Sequence, residues 1–158
     1  MRVLIVEDQT LIALMLMNCL LDAGHDVVGP AASSREALSL MEREHVDAAF
    51  VDVDLELPDA GLTVARELER SHVHVIFTTA QPDRVRACGT GIGLFTKPYN
   101  AEDAPEALRL AQTPADDGES AASELPSFEW LTAHFEQSHE VVDLQTADIA
   151  ALASSERH

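Results

Sequence analysis

Short apolar runs alternate with stretches of helical periodicity along residues 1–112. Val3-Leu4-Ile5-Val6 is too short for a helix and fits a strand buried on both faces. Over residues 9–23, Leu11, Ile12, Met15, Leu16, Cys19 and Leu20 recur at helical spacing, and Gly24 supplies a stop. Val27-Val28 predicts a short second strand closed by Gly29-Pro30. Ser33 or Ser34 is placed to cap a helix with Ala37, Leu38 and Met41 on one face, ending near Glu44. Residues 48–51 predict the third strand. A loop containing Pro58-Asp59-Ala60-Gly61 leads to a helix marked by Leu62, Ala65 and Leu68, and residues 73–77 predict a fourth strand. Residues 82–88 predict a weak helix, followed by a turn rich in glycine (Gly89, Gly91, Gly93) and a fifth strand over 92–96. Asn100 is placed to cap a last helix to about Gln112, which accommodates Pro105 if it begins near Ala104.

Five strands alternating with five helical segments specify an α/β class with a parallel sheet and right-handed crossovers. Residues 113–126, rich in Pro, Ala, Asp, Gly, Glu and Ser, read as a linker. Beyond it, Phe128, Leu131 and Phe135 share a helical face with Trp130 and His134 beside it. Val141-Val142 and Leu144 then lead to Thr146, placed to cap a helix carrying Ile149 and Leu152. The expected organisation is a domain over 1–112, a linker over 113–126 and a short helical C-terminal extension over 127–158. That extension has apolar surface to bury, as a docking or dimerisation arm or against its own domain.

A chain of 158 residues supports one domain with a core and a short appendage. The net charge of -18 divides as 18 acidic against 9 basic residues in 1–112 and 10 against 1 in 113–158. Such a surface repels phosphate backbones, which disfavours direct nucleic-acid binding. Cys19 and Cys88 lack metal or redox spacing and read as reduced thiols, and the seven histidines show no ligand spacing. No apolar run approaches membrane-spanning length and no basic leader opens the chain, so no membrane association and a cytoplasmic location are expected.

The chemistry collects where the runs end. Asp52 closes the run Ala48-Ala49-Phe50-Val51, Glu7-Asp8 closes the first run, and Lys97, the single lysine, follows the fifth and precedes Pro98. If the runs are parallel strands, these four side chains emerge at the carboxyl edge of one sheet, where open α/β folds build their sites. Carboxylates crowded together raise one another's pKa, so keeping them ionised there needs a cation. Oxygen-only ligands suit magnesium. The constellation reads as a phosphoryl-transfer site.

Four segments, Val3-Leu4-Ile5-Val6-Glu7-Asp8, Val51-Asp52, Phe77-Thr78-Thr79-Ala80 and Thr96-Lys97-Pro98-Tyr99, resemble in order and spacing the receiver domain of bacterial two-component response regulators. The resemblance extends over residues 1–112. It implies a flavodoxin-like (βα)5 fold with a parallel five-stranded sheet in the order 2-1-3-4-5. It further implies Asp52 as phosphoacceptor, served by a phosphohistidine of a sensor histidine kinase or phosphotransfer protein, or by a small acyl phosphate. Mg2+ would be held by Asp8, Asp52 and the main-chain carbonyl of Asp54, with Glu7 orienting it through water. Lys97 would offset charge on the phosphoryl oxygens, and Thr79, preferred over Thr78 because it precedes Ala80, would swing toward the phosphoryl group. Leu94 stands where many receivers carry a switch Tyr or Phe. With no output domain following, the resemblance implies a stand-alone response regulator or phosphorelay shuttle rather than an enzyme. It would signal to a downstream protein target by contact, and the candidate homodimer surfaces are the C-terminal extension and the face from the fourth to the fifth helix.

Two other readings compete. Asp52-Val53-Asp54 also resembles the DxD nucleophile motif of haloacid-dehalogenase-type phosphatases, with Thr79 and Lys97 filling later motifs; an acidic metal motif after the lysine is missing, and the pattern breaks at Glu56. The other is a receiver-like binding module that works without phosphorylation.

Overall fold

The structure, a computed structural model, describes residues 1–112 and 125–131. Five strands pair in parallel: β1 (Arg2–Val6), β2 (Asp26–Ala31), β3 (Ala48–Asp52), β4 (His74–Thr79) and β5 (Gly93–Thr96), in the order β2-β1-β3-β4-β5. The connecting helices are α1 (Thr10–Asp22), α2 (Ser34–Arg43), α3 (Ala60–Arg70) and α4 (Pro82–Arg86). A 3-10 turn (Ala101–Asp103) leads into α5 (Ala104–Leu110). Strand order and parallel pairing are those implied by the receiver resemblance.

The two-residue period of a strand divides the core into two layers. Val3, Ile5, Ala48, Phe50, Ile76 and Phe95 pack with α1 and α5, while Leu4, Val6, Ala49, Val51, Val75 and Phe77 pack with α2, α3 and α4. Both faces of the sheet are covered, which explains why its strands read as continuous apolar runs. Continuing the alternation past the strand ends puts Glu7, Asp52 and Lys97 on the α1–α5 side.

Local signals account for most boundaries. Ser33, one of the two candidates, caps α2 by accepting from the Glu36 N–H at 3.2 Å, and the Glu36 carboxylate accepts from the Ala32 N–H at 2.9 Å. Asn100 caps the 3-10 turn by accepting from the Glu102 N–H at 3.1 Å, and α5 begins at Ala104 with Pro105 in its first turn. Strand β2 does not stop at Gly29-Pro30 but continues through them to Ala31, with a shift in its register against β1. Helix α1 departs further from its periodicity. It buries Ala13, Leu16 and Leu20, whereas Leu11, Leu14, Met15 and Leu21 face solvent, Leu11 at 72% and Met15 at 53% exposure. Its apolar stripe is wider than the strip that the sheet covers.

The sheet has a sixth strand. Residues 128–130, expected to be helical, form β6 (Phe128–Trp130), which pairs antiparallel with β5 in the register Phe128↔Phe95, Glu129↔Leu94 and Trp130↔Gly93. Apolar residues three apart suit a helix, but Phe128 and Trp130 also alternate around Glu129. The edge of β5 offers main-chain hydrogen bonds that a lone helical turn cannot match. Leu125, in the expected linker, packs against the α1–α5 layer. The remainder of the expected linker, 113–124, and of the helical extension, 132–158, lies outside the described residues.

One glycine sets how closely α3 meets β3. The Gly61 N–H donates to the Val53 carbonyl at 3.1 Å, and a Cβ at Gly61 would lie 1.9 Å from the Asp52 carbonyl oxygen. Both partners are backbone, so Gly61→Ala must push α3 off the strand end. Chemical denaturation is expected to show a loss of about 2–3 kcal/mol, the upper part of the range for overpacking; a change within about 0.5 kcal/mol would contradict this contact.

Candidate functional site

At the carboxyl edge of the sheet, β3 ends in Asp52 while β1 and β5 are followed at once by Glu7 and Lys97, and the three side chains meet. The Lys97 ammonium donates to Asp52 Oδ2 at 2.7 Å and to Glu7 Oε2 at 3.0 Å. Both carboxylates are buried, Asp52 to 4% exposure and Glu7 to 3%. Glu7 Oε1 also accepts from the Gln9 N–H at 3.2 Å, and Asp52 Oδ1 accepts from the Asp54 N–H at 3.1 Å. Asp8 is exposed beside them. One carboxylate oxygen from each of Glu7, Asp8 and Asp52 lies within 4.8 Å of the other two.

Electrostatics follow from burial. Removal from water raises the Glu7 pKa, with the Asp52 charge adding to the rise, and the Lys97 contacts only partly offset both. Burial also works against the Lys97 ammonium, but its hydrogen bonds to Asp52 and Glu7 more than compensate, and its pKa stands above the usual lysine value. Lys97 therefore stays charged throughout the physiological range. Nearby, the Tyr99 ring stacks on Phe95 at 5.1 Å, and its hydroxyl has no hydrogen-bond partner among the described residues. Burial, with Glu7 and Asp52 close by, pushes its pKa up.

Glu7, Asp8, Asp52 and Lys97 are thus brought together. Asp54 stands at the next loop, its carboxylate accepting from Arg84 at 2.7 Å while Arg84 also binds Asp59. Thr79 is buried at the end of β4, its Oγ1 accepting from the Gln81 N–H at 2.9 Å at the start of α4. Thr78 pairs in register with Asp52 and is buried too. Leu94 is fully buried, in the layer that contains Phe77 and Val85.

The sequence reading assigned no role to Arg84 or Gly61. Arg84 ties the loop after Asp52 to the first turn of α4, and the available signal was a cation on a helix too poor in apolar residues to be held by packing. A groove of about 450 Å³ lies against the site, lined by Gln9, Ile12, Met15, Lys97, Pro98, Tyr99 and Ala101.

Comparison with known proteins gives a concordant picture. A family profile described as the response regulator receiver domain matches residues 3–109. The transcriptional regulatory protein PdtaR of Mycobacterium tuberculosis is 33% identical over 115 residues, covering 70% of this chain and 56% of that protein. Among solved structures, the response regulator PhyR from Brucella abortus has a TM-score of 0.59 at 30% identity, covering 78% of this chain and 51% of that one. The chemotaxis response regulator CheY4 of Vibrio cholerae has a TM-score of 0.59 at 25% identity, covering 68% of this chain and 95% of that one. The chain spans about half the length of PdtaR and of the Brucella PhyR.

The paired charges make a pH-dependent prediction. Lys97→Met leaves Glu7 and Asp52 buried without their cation, a loss expected to cost roughly 3 kcal/mol at pH 7.5 in the absence of divalent metal. Because the raised Glu7 pKa means that the fold favours the protonated acid, the stability gained by protonation is present at acid pH and lost as pH rises through that pKa. Removing Lys97 takes away the contacts that hold this pKa down, so it rises further in the variant, and the variant's deficit measured by denaturation should shrink toward pH 5. A deficit that is independent of pH would contradict the account.

Proposed function

Because the chain belongs to the response regulator receiver domain family, we propose that it is a phosphorylation-controlled response regulator in which Asp52 accepts the phosphoryl group. The observation that carries this reading is the buried Asp52 carboxylate held 2.7 Å from the Lys97 ammonium at the sheet edge. A carboxylate needs no deprotonation at neutral pH to act as nucleophile. An Asp52 oxygen bonds to phosphorus as the phosphorus–nitrogen bond of a phosphohistidine breaks, and the electron pair leaves on the imidazole nitrogen. The donor is a sensor histidine kinase or phosphotransfer protein, and a small acyl phosphate can replace it.

The donor set fits magnesium, since three converging carboxylates provide hard oxygen ligands. Asp8, Asp52 and the main-chain carbonyl of Asp54 would hold the ion, with Glu7 acting through water. Bound there, magnesium offsets charge on the phosphoryl oxygens. Lys97 does the same from the protein side and fixes the orientation of Asp52. The Asp54 side chain is held by Arg84, which leaves its carbonyl as the ligand.

The donor protein has a surface on which to dock. Exposed Leu11, Leu14 and Met15 on α1 continue into the groove bounded by Ile12, Pro98 and Tyr99, next to Lys97. An apolar helix face of the donor laid along α1 would bring its phosphohistidine to Asp52. After transfer, Thr79 turns its hydroxyl from the Gln81 N–H toward the phosphoryl oxygens, and the surface around α4 and β5 changes for a downstream protein target. This is signalling in the cytoplasm rather than catalytic turnover. Among the described residues no helix is long and apolar enough to cross a membrane.

Intact mass spectrometry after incubation with acetyl phosphate and magnesium tests the reading. One phosphoryl adduct per chain on the wild type and none on Asp52→Asn is the expected result, with phosphate release no faster than loss of the adduct. Many phosphates released per chain would assign the site to a phosphatase. An equal adduct on the variant would overturn Asp52 as acceptor.

A further inference from the structure

Strand β6 touches both elements that flank Thr79. On one side, two successive amides at the end of β5 link it to the site: the Thr96 N–H donates to the Ser127 carbonyl at 2.8 Å and the N–H of Lys97, just past the strand, donates to the Thr79 carbonyl at 2.7 Å. On the other, the Arg86 guanidinium of α4 holds the Glu129 carboxylate through two hydrogen bonds, 2.8 and 2.6 Å long. The Leu131 N–H donates to the Ile92 carbonyl at 3.0 Å and closes the far end of the ladder.

The turn before β5 is shaped for this strand. A Cβ at Gly93 would lie 2.7 Å from the Phe128 ring, and one at Gly91 would meet the Phe77 ring at 2.6 Å and Leu131 at 3.3 Å. The Phe128 ring packs between Phe95, at 4.9 Å, and Trp130, at 5.0 Å. A side chain at 93 would collide with Phe128 and so with β6, whereas one at 91 would first strike the Phe77 ring of β4.

We propose that the outer edge of β5 and Arg86 form a strand-docking surface whose occupant is this chain's own residues 127–131, and that phosphorylation of Asp52 releases this strand. The release rests on the phosphoacceptor reading above. When Thr79 turns to the phosphoryl group, the Gln81 N–H loses its acceptor at the start of α4, only five residues before Arg86. The Thr79 carbonyl that fixes Lys97 shifts with it. Two of the anchors of β6, the Arg86 ion pair and the hydrogen bond at Thr96, are disturbed together. The surface uncovered is an unpaired strand edge with the adjoining Phe95 ring, suited to an extended segment of a target protein.

Trp130 is the only tryptophan of the chain, so its quenching by acrylamide reports on the strand. With the full chain, quenching and phosphoryl load by intact mass are read on one sample with acetyl phosphate and magnesium. Phosphorylation is expected to raise the quenching constant at least twofold. Arg86→Glu or Glu129→Arg alone should raise it without a donor, and the two together should restore the wild-type value. An adduct with unchanged quenching overturns the coupling and leaves the phosphoacceptor reading intact. No adduct overturns that reading and the coupling with it. Single variants that quench like the wild type overturn the docking surface, and a doubled molar mass with unchanged quenching upon phosphorylation assigns the strand to a second copy and overturns release.

Discussion

One ammonium shared by two buried carboxylates governs this molecule. Without Lys97, the ends of β1 and β3 would carry like charges out of water, and one carboxylate would take up a proton. With it, Asp52 is oriented at the sheet edge and kept from solvent. Glu7 and the exposed Asp8 add negative charge beside Asp52, with one carboxylate oxygen of each of the three within 4.8 Å of the others. The site thus keeps charge at a sheet edge by balancing it, at the cost of burying Glu7 in a form the fold disfavours.

The same lysine connects chemistry to the outer sheet. Its side chain reaches Asp52 while its main-chain N–H binds the Thr79 carbonyl, and the preceding residue binds β6. A change at Asp52 therefore has a short route to the surface, through two consecutive peptide groups and the first turn of α4. Arg84 gives the loop after Asp52 a second link to α4. Such discrete hydrogen-bonded arrangements are what a two-state switch needs, since each is either made or replaced.

The parallel sheet was legible because its central strands are buried on both faces, which makes Val3-Leu4-Ile5-Val6 and Ala48-Ala49-Phe50-Val51 unmistakable apolar runs. The site was legible for the same reason: a charged residue ending such a run has nowhere to go but the sheet edge, and Lys97 had no other lysine to be confused with. Periodicity misled on α1, where Leu11 and Met15 share the apolar pattern but not the burial, because a pattern records chemistry and not which face the sheet covers. Strand β6 was hidden because Phe128 and Leu131 satisfy helical spacing, and only the open edge of β5 decides between the two. Arg84 stood out only as a cation on a helix poor in apolar residues, and its partners Asp54 and Asp59, in another loop, left no local trace.

The most direct test of the account is to locate the phosphoryl group chemically. An acyl phosphate is reduced by borohydride to an alcohol, so phosphorylated protein treated this way and digested should carry the aspartate-to-homoserine mass change in the peptide containing Asp52 and in no other. Reduction at Asp8, Asp54 or another carboxylate, or a phosphoryl group that survives borohydride on a histidine, would contradict Asp52 as the acceptor.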